Sequence, residues 1–229
     1  VKIAIIAAMT EELAPFRKHY ASEQIWQKGK TSIEKVNEQL YLVASGIGKA
    51  NASATAAWLN EKIKPDLIIN TGTTGSFSSE LALGSVICSQ EFVYSDVDAT
   101  GFDYAFGQVP QMPARYFVAS SYLKLVEKIS QEKRLNVAFG TIVTADSFMS
   151  DIEAVEKIKK RFPTALGSDM ESCAIAQVAA FYNIPVLNIR GVSDYVGQNA
   201  PDTFDATVDL ASNQAFEVVR AVVDVVLGK

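Results

Sequence analysis

Six apolar residues in unbroken succession, Ile3 to Ala8, constrain this chain more than any other feature in it. A strand with one wet face alternates polar and apolar residues, whereas a continuous apolar run suits a strand covered on both faces. Leu67-Ile-Ile69 and Val186 to Val192 read as further buried strands, and Ser85 to Val93 and Phe139 to Val143 as others. Ile25–Trp26, Thr31 to Val36 and Gln39 to Ala44 look like a small meander. Helical patterns alternate with these runs. One begins at Glu11 with Thr10 as N-cap, and Ala50 to Ile63 carries Ala54, Trp58 and Leu59 at helical spacing. Ile152 to Arg161, Ser172 to Tyr182 and the stretch from Thr203 to Leu227 complete the set. Pro15 is expected to limit or bend the first helix after one turn, and the valines of the last lower its helix propensity. No linker, repeat or low-complexity tract divides the sequence. The pattern predicts a single-domain, three-layer α/β/α fold over residues 1–229 with a mixed, largely parallel central sheet.

Composition removes several classes of function. A hydrophobic content of 48 % in 229 residues supplies a substantial core. The formal net charge of −5 argues against nucleic-acid binding, though not against a nucleoside, which carries no phosphate. Cys88 and Cys173 fall in apolar stretches and read as buried thiols. His19, the one histidine, lies near the end of the first helix and reads as a surface residue, so no transition-metal site is expected. No apolar run approaches the roughly 18 residues of a membrane span. The N-terminal run passes straight into Glu11-Glu12, unlike a signal peptide. A soluble cytoplasmic protein is the expectation.

Three acidic residues stand where strand gives way to loop or helix: Glu12, Glu171 in Ser168-Asp-Met-Glu171, and Asp194 after Pro185 to Ser193. The carboxyl ends of strands are where ligands bind in open α/β sheets. Carboxylates gathered there without histidine or cysteine suggest acid–base work on a neutral, oxygen-rich substrate. Two glycine-bearing segments also follow strands, Ser45-Gly-Ile-Gly-Lys49 and Thr71-Gly-Thr-Thr-Gly-Ser76. Neither fits G-x-G-x-x-G or a P-loop. The one Gly-Lys-Thr, Gly29 to Thr31, has Gln24 where a P-loop needs its first glycine. Each segment stays open between a bare turn and a ligand loop. Thr71, Thr73 and Thr74 offer hydroxyls suited to sugar oxygens, and the lack of arginine or lysine from Thr71 to Ser76 makes phosphate a poorer ligand.

Ala8-Met-Thr-Glu-Glu12, Ser45-Gly-Ile-Gly-Lys49, Asn70-Thr-Gly-Thr-Thr-Gly75, Asp169-Met-Glu171 and Arg190-Gly-Val-Ser-Asp194 stand in order along nearly the whole chain. Together they resemble the bacterial 5′-methylthioadenosine/S-adenosylhomocysteine nucleosidases of the nucleoside phosphorylase superfamily. The resemblance implies a nucleoside phosphorylase-like fold and a hydrolase that cuts the N-glycosidic bond of 5′-methylthioadenosine and S-adenosylhomocysteine, with 5′-deoxyadenosine a further substrate. Adenine and the 5′-substituted ribose are the products. It implies no metal or organic cofactor and a homodimer, with methionine salvage and autoinducer synthesis both open as its setting; composition and hydropathy point to no nucleic-acid and no membrane partner.

Residue by residue, the resemblance makes Asp194 the general acid at adenine N7, oriented by Ser193, and Glu12 the general base for water. Ser193-Asp194 could equally cap a helix after a strand, and Glu12 could sit in a first turn for its charge alone. Glu171 resembles the acceptor of the ribose hydroxyls, with Met170 packed on the ribose and Thr73 where the family often has serine. Arg190 is either a polar group beside the attacking water or a structural ion pair. Phe148 matches the aromatic that stacks on adenine, or is a core ring, and backbone groups of Met149 would read the Watson–Crick edge. Phe102, Tyr104 and Pro110 resemble a lid laid over the neighbouring subunit's alkylthio pocket, which Ile47 also lines. Asp169 and Ala99 are departures expected to tune affinity and tail preference. A futalosine-type hydrolase, a purine nucleoside phosphorylase and a non-catalytic nucleoside sensor remain the alternatives.

Overall fold

The structure, a computed structural model, describes residues 1–197 and 199–229. Along the chain run β1 (Ile3–Ala7), α1 (Thr10–His19), β2 (Glu23–Lys28), β3 (Thr31–Lys35), β4 (Leu40–Ala44), α2 (Lys49–Lys62), β5 (Leu67–Ser76) and β6 (Val86–Tyr94). A 3-10 turn (Thr100–Phe102) and the short β7 (Tyr116–Phe117) lead to α3 (Ser120–Lys133), β8 (Val137–Thr144) and α4 (Ile152–Arg161). Then come β9 (Ala165–Asp169), α5 (Ser172–Phe181), β10 (Val186–Tyr195) and α6 (Ala200–Val226).

β1 is the buried strand its composition demands, with all five residues inside. It lies parallel between β4 and β5, and β5 continues parallel to β10. The longest ladders, β5–β10 and β6–β8, are both parallel, while the β2–β3–β4 meander and the β6–β10 and β5–β9 joins are antiparallel. β5 pairs with β10, β10 with β6, β6 with β8, β8 with β9, and β9 with β5, so five strands close into a ring. Ile87, Ile142 and Val192 pack together as a separate buried cluster on three of its strands. β1, β4, β3 and β2 extend from the ring as an open arm. Helix α6 packs against both α1 and α3, and α2 packs against α5, so two helix groups cover the sheet as the α/β/α layering requires.

Several local expectations change. Helix α1 runs through Pro15 to His19, because Leu13 and Phe16 on either side are fully buried and Phe16 meets Phe216 edge-on at 5.0 Å. Two such burials contribute roughly 1.5–3 kcal/mol each, enough to offset the roughly 3 kcal/mol of an interior proline. The valine-rich tail is helical because Val218, Val219, Val222 and Val223 are buried. Elements α3, β7 and β9 were not foreseen. Thr71 to Ser76 is no loop: β5 continues unbroken through it, paired with β10 as far as Ser76. Likewise β10 runs on through Ser193 and Asp194, which removes the helix-cap explanation of that pair. Cys88 and Cys173 are free and buried, and His19 is exposed, as the sequence suggested.

Candidate active site

The carboxyl ends of β1, β5, β9 and β10 surround a cavity of about 310 Å³. Glu12, Glu171 and Asp194 all line it, as do Ile47, Thr73, Phe148, Met170, Arg190 and Ser193. Each acid has a different environment, set by the element that carries it.

Glu12 sits in the first turn of α1 and is 2 % exposed. Its Oε2 accepts the N–H groups of Ala8 (3.0 Å) and Met9 (3.1 Å), folding the side chain back over the helix start. Its Oε1 accepts the Thr73 N–H at 2.8 Å and the Thr73 hydroxyl at 3.0 Å. A carboxylate has about four acceptor sites, so protein donors occupy them all. Three are fixed backbone groups; only the Thr73 hydroxyl can rotate away. Gly72 makes this approach possible, since a Cβ there would lie 2.4 Å from Glu12 Oε1.

Glu171, at the end of β9 and start of α5, is held from two sides. Its Oε1 accepts the Gly48 N–H at 3.0 Å, and its Oε2 accepts from Arg190 Nη2 at 3.2 Å. Burial, with the negative charges of Asp169 and Glu12 adding, pushes its carboxyl up to about 7, although Arg190 and the Gly48 N–H pull the other way.

Arg190 is the hub. Its side chain is 2 % exposed, and all three guanidinium nitrogens donate to buried acceptors. Nε lies 3.0 Å from both Asn188 Oδ1 and Asp169 Oδ2, Nη1 donates to the Thr73 carbonyl at 2.9 Å, and Nη2 donates to Asn70 Oδ1 at 2.8 Å. Asp169 in turn accepts from the Thr144 hydroxyl at 2.7 Å and from Asn188 Nδ2 at 3.2 Å. The structural ion pair and the place beside the cavity are therefore both true of Arg190.

Asp194 lies at a bulge. The β10–β5 register shifts between Val192 and Asp194, and Ser193 is the residue left over. A bulge bends the strand and re-aims side chains. Here Ser193 Oγ donates to Asp194 Oδ1 at 2.7 Å, its only hydrogen-bond donor among the described residues. Burial raises the Asp194 carboxyl above its ordinary range, opposed by the Ser193 hydrogen bond. Oδ2 lies beside Gly75, 2.9 Å from where a Cβ would stand. Gly72 and Gly75 are three residues apart on β5, about 10 Å at the rise of a strand. Glu12 and Asp194 thus occupy separated ends of one cavity. Such a pair can protonate a leaving group at one end and take a proton from water at the other.

The apolar walls differ from expectation in places. Phe148 is 43 % exposed and meets Phe204 of α6 edge-on at 6.0 Å, so it is a wall and not a core ring. Met149 does not line the cavity: its side chain is buried with Val93 and Val143, and its carbonyl already accepts the Gly197 N–H at 2.8 Å. The threonine hydroxyls are not aligned for a sugar either. Thr71 Oγ1 is buried without a partner among the described residues, and Thr74 Oγ1 donates to the Ser168 carbonyl at 3.0 Å. Asp169 is buried and pairs with Arg190. Phe102, Tyr104, Pro110 and Ala99 do not line their own chain's cavity, and Phe102 is 82 % exposed. Sequence reasoning missed Pro201, Phe204 and Asp205 on α6, which close the cavity's outer side. It also missed Asn70 and Asn188, whose signal was present: amides inside apolar strand runs.

Fold and site together define an α/β protein with three carboxylates gathered at strand ends around one cavity. The family model described as "Phosphorylase superfamily" matches residues 2–224. A Geobacillus sp. (strain WCH70) protein named 5′-methylthioadenosine/S-adenosylhomocysteine nucleosidase is 39 % identical, covering 97 % of this chain and 98 % of its own. The protein of that name from Staphylococcus aureus (strain MRSA252) is 36 % identical over 96 % and 98 %. The nucleosidase of Neisseria meningitidis, solved in complex with methylthio-immucillin-A, superposes with a TM-score of 0.93 at 32 % identity, covering 97 % and 98 %. The chain belongs to the 5′-methylthioadenosine/S-adenosylhomocysteine nucleosidase family of the phosphorylase superfamily. No described helix is long and apolar enough to cross a membrane.

Proposed function

We propose that residues 1–229 act as one nucleosidase domain that hydrolyses the N-glycosidic bond of 5′-methylthioadenosine, S-adenosylhomocysteine and 5′-deoxyadenosine. The observation that carries this reading is the pairing of Asp194, a buried acid whose burial keeps its proton to higher pH, with Glu12 across the same cavity. Asp194 protonates adenine N7 as the glycosidic bond opens, and Ser193 fixes which oxygen faces the base. Positive charge then grows on the sugar, as in glycoside cleavage generally. Water reaches Glu12 Oε1 when the Thr73 hydroxyl turns aside, and Glu12 takes its proton as it adds to C1′. Glu171, held by Arg190 and Gly48, accepts the ribose hydroxyls, while Met170 packs on the ring and Phe148 stacks on adenine. No metal or organic cofactor enters these steps.

Electrostatics favour water over phosphate as nucleophile. Arg190 is the one cationic side chain among the described residues lining the cavity, and its charge is already paired with Asp169 and Glu171. A phosphate dianion would face the Glu12 carboxylate with no unpaired cation to offset it, and like charges in a buried site repel strongly. The exposure of Phe102, away from its own cavity, supports a homodimer in which Phe102, Tyr104 and Pro110 cover the neighbour's alkylthio pocket beside Ile47. Sedimentation should then give twice the chain mass. A cytoplasmic enzyme of methionine salvage is the corresponding setting. The deciding experiment is product chromatography from 5′-methylthioadenosine and S-adenosylhomocysteine in phosphate-free buffer. Adenine plus the free thioribose is expected, and turnover only on adding phosphate would refute the hydrolase.

A further inference from the structure

Helix α2 begins without a cap of its own. Its N-cap is Gly48, which has no side chain and sits at φ +94°, and its first turn carries no acidic residue. The first N–H groups of a helix need acceptors, and anions are favoured there. Both acceptors come from elsewhere in the chain. Glu171 Oε1 takes the Gly48 N–H at 3.0 Å, and Asp146 Oδ1, in the segment after β8, takes the Lys49 N–H at 2.7 Å. A third carboxylate completes the cluster. Asp96, after β6, accepts the Lys49 ammonium at 2.7 Å and the Asp146 N–H at 2.9 Å through one oxygen. The Lys49 ammonium also lies 5.2 Å from the centre of the Tyr94 ring.

This cluster lies outside the cavity, but each member is a short step from a wall of it. Lys49 follows Ile47 and Gly48, Asp146 precedes Phe148 by two residues, and Asp96 stands at the root of the segment bearing Phe102 and Tyr104. We propose that Lys49, Asp96 and Asp146 are positioning residues: they lock the start of α2 so that the Gly48 N–H holds Glu171 at the ribose hydroxyls. The inference rests on the nucleosidase reading above and deepens it. Were Gly48 to drift, Glu171 would keep Arg190 but lose its second anchor, and contacts that must strengthen in the transition state would loosen.

The test separates positioning from stability. Lys49→Met removes the ammonium, and Asp146→Ala removes the backbone acceptor. Asp146→Asn keeps an oxygen for the Lys49 N–H, and Lys49→Arg keeps a cation for Asp96. Each variant is assayed for adenine release from 5′-methylthioadenosine and from its 2′-deoxy analogue, with melting temperature alongside. The ratio of the two kcat/KM values reports what the hydroxyl contact contributes. Lys49→Met and Asp146→Ala should each lower that ratio about 5- to 10-fold, a readout that mere loss of folded protein would leave unchanged, because it scales both substrates alike. Asp146→Asn and Lys49→Arg should stay within about twofold of the parent. An unchanged ratio in Lys49→Met and Asp146→Ala overturns the inference while leaving the nucleosidase reading intact. Absence of adenine release from the parent protein would instead sink that reading.

Discussion

Gly72→Ala changes no acid, no base and no binding side chain, yet it should disable the site. Gly72 has φ +133°, and an added Cβ would lie 2.4 Å from Glu12 Oε1 and 2.5 Å from its carboxyl carbon. Ordinary contact needs about 3.5 Å, so the carboxylate must retreat by roughly 1 Å. Its bonds from the Thr73 N–H and hydroxyl, at 2.8 and 3.0 Å, cannot survive that move. Hydrogen bonds to a charged group contribute roughly 1.5–3 kcal/mol, and the backbone strain adds about 1–3 kcal/mol. A loss of about 4 kcal/mol is expected, lowering Tm by roughly 8–16 °C for a chain of this size. Displacing a reacting group by about 1 Å costs on the order of 10²-fold in rate, so kcat should fall by that factor. Gly197→Ala is the control: its φ is +131°, but no described residue beyond its chain neighbours stands within 4 Å of the new Cβ, so it reports strain. Scanning fluorimetry and adenine release at several substrate concentrations give both numbers. If Gly72→Ala is no less stable than Gly197→Ala and turns over at the parent rate, Glu12 does not need the position described here.

Four further outcomes follow from the same geometry. Asp194→Asn should lower kcat by about 10²–10⁴-fold, the usual contribution of a general acid, while a transition-state analogue still binds by calorimetry. Ser193→Ala removes the hydrogen bond that favours ionised Asp194, so the alkaline limb of the rate profile should move to higher pH; a limb moving the other way contradicts the assignment. Arg190→Met leaves Asp169 and Glu171 buried without their cation, which should cost about 3–5 kcal/mol in urea denaturation. Glu171 is protonated more readily in the folded chain than in the unfolded one, with its carboxyl pushed from 4.5 up to about 7. Its contribution to stability is present below the unfolded value and is lost as pH rises through the folded one. Tm should therefore decline across that window, and less steeply in Glu171→Gln; identical slopes would show that Glu171 does not titrate there.

Much of the frame was legible because it depends on local pattern. The apolar run at Ile3 needs cover on both faces wherever it goes, and Ile152 to Arg161 has a helical period that nothing in the fold opposes. What escaped depends on pairing between distant segments. Thr71 to Ser76 has the composition of a loop, with two glycines among three threonines, and its strand character comes from β10 alongside. The part Asp169 plays was hidden because its partner Arg190 is 21 positions away and meets it only when β9 and β10 converge on β5. Pro15 misled for the opposite reason: a strong local rule met a stronger tertiary term in Leu13 and Phe16.

The acid shows most clearly how sequence and site part company. Ser193 and Asp194 are neighbours, and in a regular strand neighbours face opposite sides of the sheet. Yet their side chains touch, at 2.7 Å. The contact exists because the register slips by one residue between Val192 and Asp194, while β5 opposite keeps its own count from Thr74 to Gly75. The irregularity belongs to the pair of strands and not to either one. A substitution that forced β10 back into register would separate the hydroxyl from the carboxylate without altering either residue. The setting of Asp194 is in this sense a property of the mismatch between β5 and β10, with Gly75 leaving the space beside its carboxylate.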